Sequence, residues 1–180
     1  MDARRLVSRL AAAEIGATYN FYREGDRAPI LRGRLRAYLE VLVGARYLFV
    51  GEAAGYRGAR VSGLPFTSER QLTGTGPSEA SATIVHRMLH ELGIEDRVLL
   101  WNVVPTHPGT ETSNRAPTRA EVDAGREFLA ALATGRRVLP VGRLAERALG
   151  IAGVRHPSHG GATAFRAGLI QWLGSDRPAH

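Results

Sequence analysis

Apolar positions along this chain follow two rhythms, a helical spacing and short unbroken runs. Leu6, Leu10 and Ala13 share one side of the segment Asp2–Glu14, and Leu31, Leu35, Leu39 and Leu42 recur at helical spacing in Ile30–Val43. Two helices are predicted there. Tyr47–Val50 (YLFV) is then a short apolar run ending at Gly51, the pattern of a buried parallel strand that feeds a functional loop. After a long glycine-rich loop, Ser78–Leu92 carries Ile84, Met88, Leu89 and Leu92 on one face, with Pro77 and Ser78 as a start signal and Gly93 as a stop. The cycle then repeats. Val98–Val104, Arg137–Val141 and Val154–His156 read as strands, alternating with helices over Thr118–Ala133, Arg143–Leu149 and Ala162–Leu173. Thr118 with Glu121 three residues later has the form of a capping box.

This order predicts an α/β protein: a three-layer α/β/α sandwich around a central, mainly parallel four-stranded sheet. With 180 residues and 19.5 kDa, a single domain over residues 1–180 is expected, with a helical part at 1–46 and a core at 47–173. A ligand crevice is then expected beyond the carboxyl ends of the strands.

Composition narrows the chemistry. There is no cysteine, which excludes disulfides, thiol nucleophiles and cysteine-held zinc or iron–sulfur sites. The 44% apolar content argues against disorder, and no apolar run approaches the ~20 residues of a membrane span. The first residues are charged and lack a long apolar core, so a cytoplasmic protein without a secretory signal is expected. All 24 basic residues are arginine and the net charge is +7. Arginine grips phosphate at two points, which suits nucleic acid, although a GC-rich genome would also replace lysine by arginine throughout.

Three strand ends hold most of the candidate chemistry: GEAAGYRGARVSGLPFTSE, NVVPTHPG with NRAPT, and HPSHGG. This ordered trio resembles the uracil-DNA glycosylase superfamily, over about Tyr47–Leu173. GEAAG, the LPF triplet and WNVVPTHPG are similar to family 4 of that superfamily, whose members hold an iron–sulfur cluster through cysteines that this chain lacks. The loop length from Gly51 to the Phe66–Thr67 pair, and the HPSHGGATAFRAGL ending, are similar to family 5. The chain reads as a cluster-free relative standing between the two.

The resemblance implies a base-excision enzyme that flips uracil or another deaminated base from DNA and cuts its N-glycosidic bond. Such chemistry needs a flat ring, an amide and a donor facing the leaving base. Phe66 supplies the ring, Asn102 an amide able to meet O4 and N3–H together, and His156 a donor to O2. Gly51, Ala53 and Gly55 form the backbone turn beside the base. Ala53 stands where well-known members carry Asp, so the water falls to Glu52 or Glu69, Glu52 being preferred. Gly55 occupies the place of a tyrosine that excludes thymine in the strictest enzymes, which leaves room for a broader base range. Arg57, Arg60, Arg115 and Arg166, with Ser158, His159 and Gly160, are expected along the DNA. No cofactor or metal is expected, and the protein is expected to act as a monomer on DNA. His86 and His90 have metal-ligand spacing but lack a nearby third ligand. Glu121, Gly142 and Arg143 read as architectural. Two other readings stay open: a catalytically silent binder of uracil-DNA that keeps the pocket, motivated by Ala53, and a phosphate-handling nucleotide enzyme, which lacks the expected glycine motifs.

Overall fold

Alternation along the central strand decides how the layers pack. The computed structural model describes residues 2–175; residue 1 and residues 176–180 of the expected 1–180 domain lie outside them. In chain order the elements are α1 (Ala3–Ala12), α2 (Ala28–Val41), β1 (Tyr47–Ala53), α3 (Ala59–Ser62), α4 (Glu69–Thr73), α5 (Ala80–Leu92), a 3₁₀ turn (Glu95–Arg97), β2 (Val98–Val104), α6 (Arg119–Ala133), β3 (Arg137–Pro140), α7 (Arg143–Leu149) and α8 (Ala162–Gly174). The strands are parallel in the order β2-β1-β3.

Successive side chains of a strand point to opposite faces. Leu48 and Val50 of β1, with Leu99, Trp101 and Val103 of β2, join a cluster with Leu10, Leu35, Leu39 and Phe128 from α1, α2 and α6. Tyr47, Phe49 and Leu100 face the other way, onto Val85, Met88 and Leu89 of α5 and Phe165 and Leu169 of α8. The result is the expected α/β/α sandwich. The residues before β1 share the first of these clusters, so the N-terminal helices are part of the same core as the sheet.

The sheet has three strands, not four. Val154 makes one parallel bridge to Val141 beyond β3, and the chain then turns away toward His156. The segment 154–156 is too short to build a ladder. It still does the work of an edge, because Gly142 N–H donates to the Val154 carbonyl and Val154 N–H to that of Pro140.

Other helix boundaries fall within two residues of the expected ones, α5 beginning at Ala80 rather than at the Pro77–Ser78 signal. Thr118 and Glu121 form the capping box of α6, with Glu121 N–H donating to Thr118 Oγ1 and Thr118 N–H to Glu121 Oε2. Gly93 ends α5 at φ 61°, a conformation glycine adopts without a Cβ penalty. The expected loop Gly51–Gly76 is more structured than its glycine content suggests. β1 continues through Ala53, and α3 and α4 lie within the remainder.

Candidate active site

The three motifs meet at the carboxyl edge of the sheet. Gly51 of β1 lies opposite Asn102 of β2 in the parallel register. Phe66 arrives from the turn after α3 and packs over Gly51. A Cβ at Gly51 would overlap Phe66 Cζ, lie 2.7 Å from Cε2, and stand 2.9 Å from Asn102 Oδ1. Glycine here is a condition of that contact.

Phe66 sits at φ 51°, in the left-handed region that a bulky side chain rarely adopts. Its neighbours hold it there. The His86 ring hydrogen-bonds to the Phe66 backbone, and its Nε2 stands 3.1 Å from the Thr67 hydroxyl. Ser62 Oγ donates to the Thr67 carbonyl at 2.6 Å. His86 therefore supports the turn. His90 instead stands 2.6 Å from Glu95 through Nδ1, and no group of three or more metal-ligating side chains occurs among the described residues.

His156 completes the ring of motif residues. Its ring centroid lies 6.4 Å from that of Phe66, the planes inclined by 31°. Ser158 N–H donates to His156 Nδ1 at 3.2 Å, and Ser158 Oγ lies 2.8 Å from the same nitrogen. A nitrogen that accepts cannot carry the proton, so this network assigns the neutral ring's proton to Nε2. Burial, and then the nearby charge of His159, push the His156 pKa below the ordinary histidine value. Gly142 at φ 95° lets this turn approach, since a Cβ there would lie 3.2 Å from His156 Cβ.

Phe66, Asn102 and His156 line one recess of about 50 Å3, with Glu52, Ala53, Gly55, Ala59, Glu79 and Ser81. That is room for about four waters at the ~10–15 Å3 one water needs. An outer cavity of about 480 Å3 shares six of these residues with the recess, and its wall adds Arg115, Arg143, Arg147, Ser158 and His159. Asn102 is only 4% exposed, yet its carboxamide has no hydrogen bond to any described residue. Its polar atoms are reached from the recess rather than sealed in protein, so a ligand there can complete their hydrogen bonds.

The acidic candidates separate. Glu52 borders both spaces. Part of it faces solvent, but the surrounding wall raises its carboxyl above the ordinary value, with Arg147 opposing that effect. Glu69 is elsewhere. Arg34 donates to both of its oxygens, at 2.7 and 3.1 Å, and Arg27 donates at 2.8 Å, which holds its carboxyl below the usual range. It lines neither the recess nor the outer cavity.

The expected DNA-facing arginines divide too. Arg115 reaches the cavity, but its guanidinium forks onto Glu121 at 2.5 and 2.8 Å. Arg60 lies 5.1 Å over the Tyr19 ring and donates to Glu111, Arg57 stacks on Tyr56, and Arg166 lies 3.9 Å from Glu91 of α5. Arg143, taken as architectural, is exposed and lines the outer cavity one turn before Arg147. Ser158 and His159 line it as well, with Gly160 next at φ 73°.

Three residues on or beside this site are not among those singled out from the sequence: Glu79, Arg147 and His107. His107 is fully buried, its ring nitrogens 2.7 Å from the Ala54 carbonyl and 2.8 Å from that of Thr110. Its backbone pairs with Tyr19 in both directions. It thereby ties the turn after β1 to the loop after β2. The THPG stretch that contains it was a visible signal; the partner carbonyls were not.

The family model for the uracil DNA glycosylase superfamily matches residues 40–174, three quarters of the chain. This chain belongs to that superfamily. Membership supports a DNA glycosylase-type function. The crystal structure of wild-type SMUG2 from Pedobacter heparinus has a similar fold, with a TM-score of 0.72 at 14% identity, over 97% of this chain and 98% of that one. No curated protein is similar enough to count as a relative. Among the described residues no helix is long and apolar enough to cross a membrane.

Proposed function

We propose that this protein is a DNA glycosylase that draws uracil or another deaminated base out of DNA and hydrolyses its N-glycosidic bond, leaving an abasic site. The observation that carries this is the convergence of Phe66, Asn102 and His156 on one recess, with the Asn102 carboxamide unpartnered among the described residues. An amide offers a donor and an acceptor side by side, which matches N3–H and O4 of uracil. The Phe66 ring stacks on the base, and Nε2–H of His156 donates to O2 as negative charge gathers there. A neutral imidazole is suited to that task, because a donor that keeps its proton stabilises the anion without protonating it early.

Glu52 orients the attacking water. Of the two acids weighed for this role it is the one bordering the recess, while Glu69 is engaged by Arg27 and Arg34. Ala53 takes no part in the chemistry. Departure of the base dominates the barrier in a dissociative reaction, so the position of the water-handling acid can vary between relatives. Arg143, Arg147, Ser158 and His159 face the DNA backbone, with Gly160 next in the chain, and Arg57 meets it from the turn after β1. Gly55 carries no side chain where a tyrosine would exclude the thymine methyl, which favours a base range wider than uracil, with the Glu79 carboxylate rather than a ring in front of its Cα.

The experiment is direct. Duplexes carrying a single uracil, hypoxanthine or xanthine are incubated with the protein, treated with alkali and resolved by length. Strand breaks at uracil are expected. Retention of uracil-DNA without any break at any of the three bases would favour a silent binding module that keeps the pocket.

A further inference from the structure

Glu79 precedes α5, where an acidic side chain commonly caps the helix, yet it makes no capping hydrogen bond. Among the described residues its carboxylate has no hydrogen-bond or ion-pair partner. Its oxygens lie instead over the turn after β1. A Cβ at Gly55 would stand 2.5 Å from Oε1, and one at Gly58 would overlap Oε2. These glycines leave the volume that the carboxylate occupies. Glu79 borders both the inner recess and the outer cavity, beside Glu52 and His156.

Other acids near these loops are accounted for. Glu69 is held by two arginines, and Glu121 by Arg115 and the α6 cap. A half-buried carboxylate with no partner costs free energy that a structural role would not require. Burial also raises its carboxyl above the ordinary value, toward the basicity useful near neutral pH.

We propose that Glu79 is a second catalytic carboxylate, which takes the proton of the water that Glu52 orients toward the sugar C1′. This rests on the glycosylase function proposed above. In the step, the bond from C1′ to the base breaks and its electron pair leaves with the base. The water oxygen forms the new bond to C1′, and one water proton passes to the Glu79 carboxylate. The base anion takes a proton from solvent after release, and Glu79 returns its own to solvent.

The test measures single-turnover excision of uracil and, separately, affinity for the same duplex. Glu79→Gln is expected to slow excision about 100-fold while affinity stays equal or tightens, because a negative charge facing phosphates is removed. Glu79→Asp restores part of the rate. Gly55→Ala provides a second probe, since the three atoms nearest its new methyl all belong to Glu79. Its rate loss should not add to that of Glu79→Gln in the double variant. Wild-type excision with Glu79→Gln unimpaired overturns the proposal alone, as does a parallel fall of rate, affinity and melting temperature, which marks a structural role. A wild-type protein that excises no base overturns the underlying function and the proposal together.

Discussion

Gly51 and Asn102 face each other across adjacent parallel strands, and the absence of a side chain on the first lets both the Phe66 ring and the Asn102 carboxamide close in on it. The base recess therefore depends on a hydrogen atom in place of a methyl group. Gly51→Ala should push the Phe66 ring away and cost about 1–3 kcal/mol of stability as an overpacked site. Excision should fall at least ~10-fold beyond what that stability loss explains. Thermal denaturation and single-turnover rates on the same samples separate the two effects.

Arg115 and Glu121 form a two-point ion pair beside the site, with the carboxylate buried. The Arg115 fork and the α6 cap hold the Glu121 carboxyl at about 2, against an ordinary value of 4.5. A carboxyl lowered on folding contributes stability that is fully present above its unfolded value and is lost as pH falls through the folded one. Wild-type stability should thus decline between about pH 4.5 and 2 partly through this group. Glu121→Gln leaves the guanidinium without its counter-charge and should cost about 3 kcal/mol, roughly 6–12 °C in melting temperature. Its pH dependence in that window should flatten.

His156 should titrate below the ordinary histidine range, because its ring is half-buried and His159 carries like charge nearby. His159→Gln removes the repulsion but not the burial. The His156 pKa, followed by NMR of the ring protons, should therefore rise in the variant while staying below that of an exposed histidine. No movement would mean that the two rings do not sense each other.

Arg143 and Arg147 stand exposed on α7 at the rim of the outer cavity. If they meet phosphates, Arg143→Gln should weaken binding to uracil-containing and undamaged duplexes alike. The slope of log affinity against log salt should drop by about 1. Arg147→Gln should do the same and, by removing the charge that opposes burial, raise the Glu52 carboxyl further.

Much of this architecture could be read from the chain before its structure. Val98–Val104 is a strand to the residue: six apolar positions interrupted only by Asn102, rich in valine and too short for an ordinary helix, favour a buried strand. Arg143–Leu149 matches as well, bracketed by Gly142 and Gly150. What escaped depended on distant partners. Glu69 sits where a family 5 acid is expected, but Arg27 and Arg34, contributed by the residue before α2 and by the middle of that helix, pair with it. Glu79 carries no motif, and its place over Gly55 and Gly58 emerges only when the turn after β1 folds onto the start of α5. The fourth strand failed for a local reason: Val154 is followed at once by the turn that delivers His156, so one bridge replaces a ladder.

Asn102 is the side chain on which base recognition turns. The decisive measurement compares single-turnover excision of uracil from one duplex by the wild type, Asn102→Ala and His156→Ala. The wild type should excise the base, and each variant should lose at least ~10-fold, since an unmade buried contact to the leaving base costs more than about 1 kcal/mol. Full wild-type rates in both variants would contradict a base pocket built from these residues.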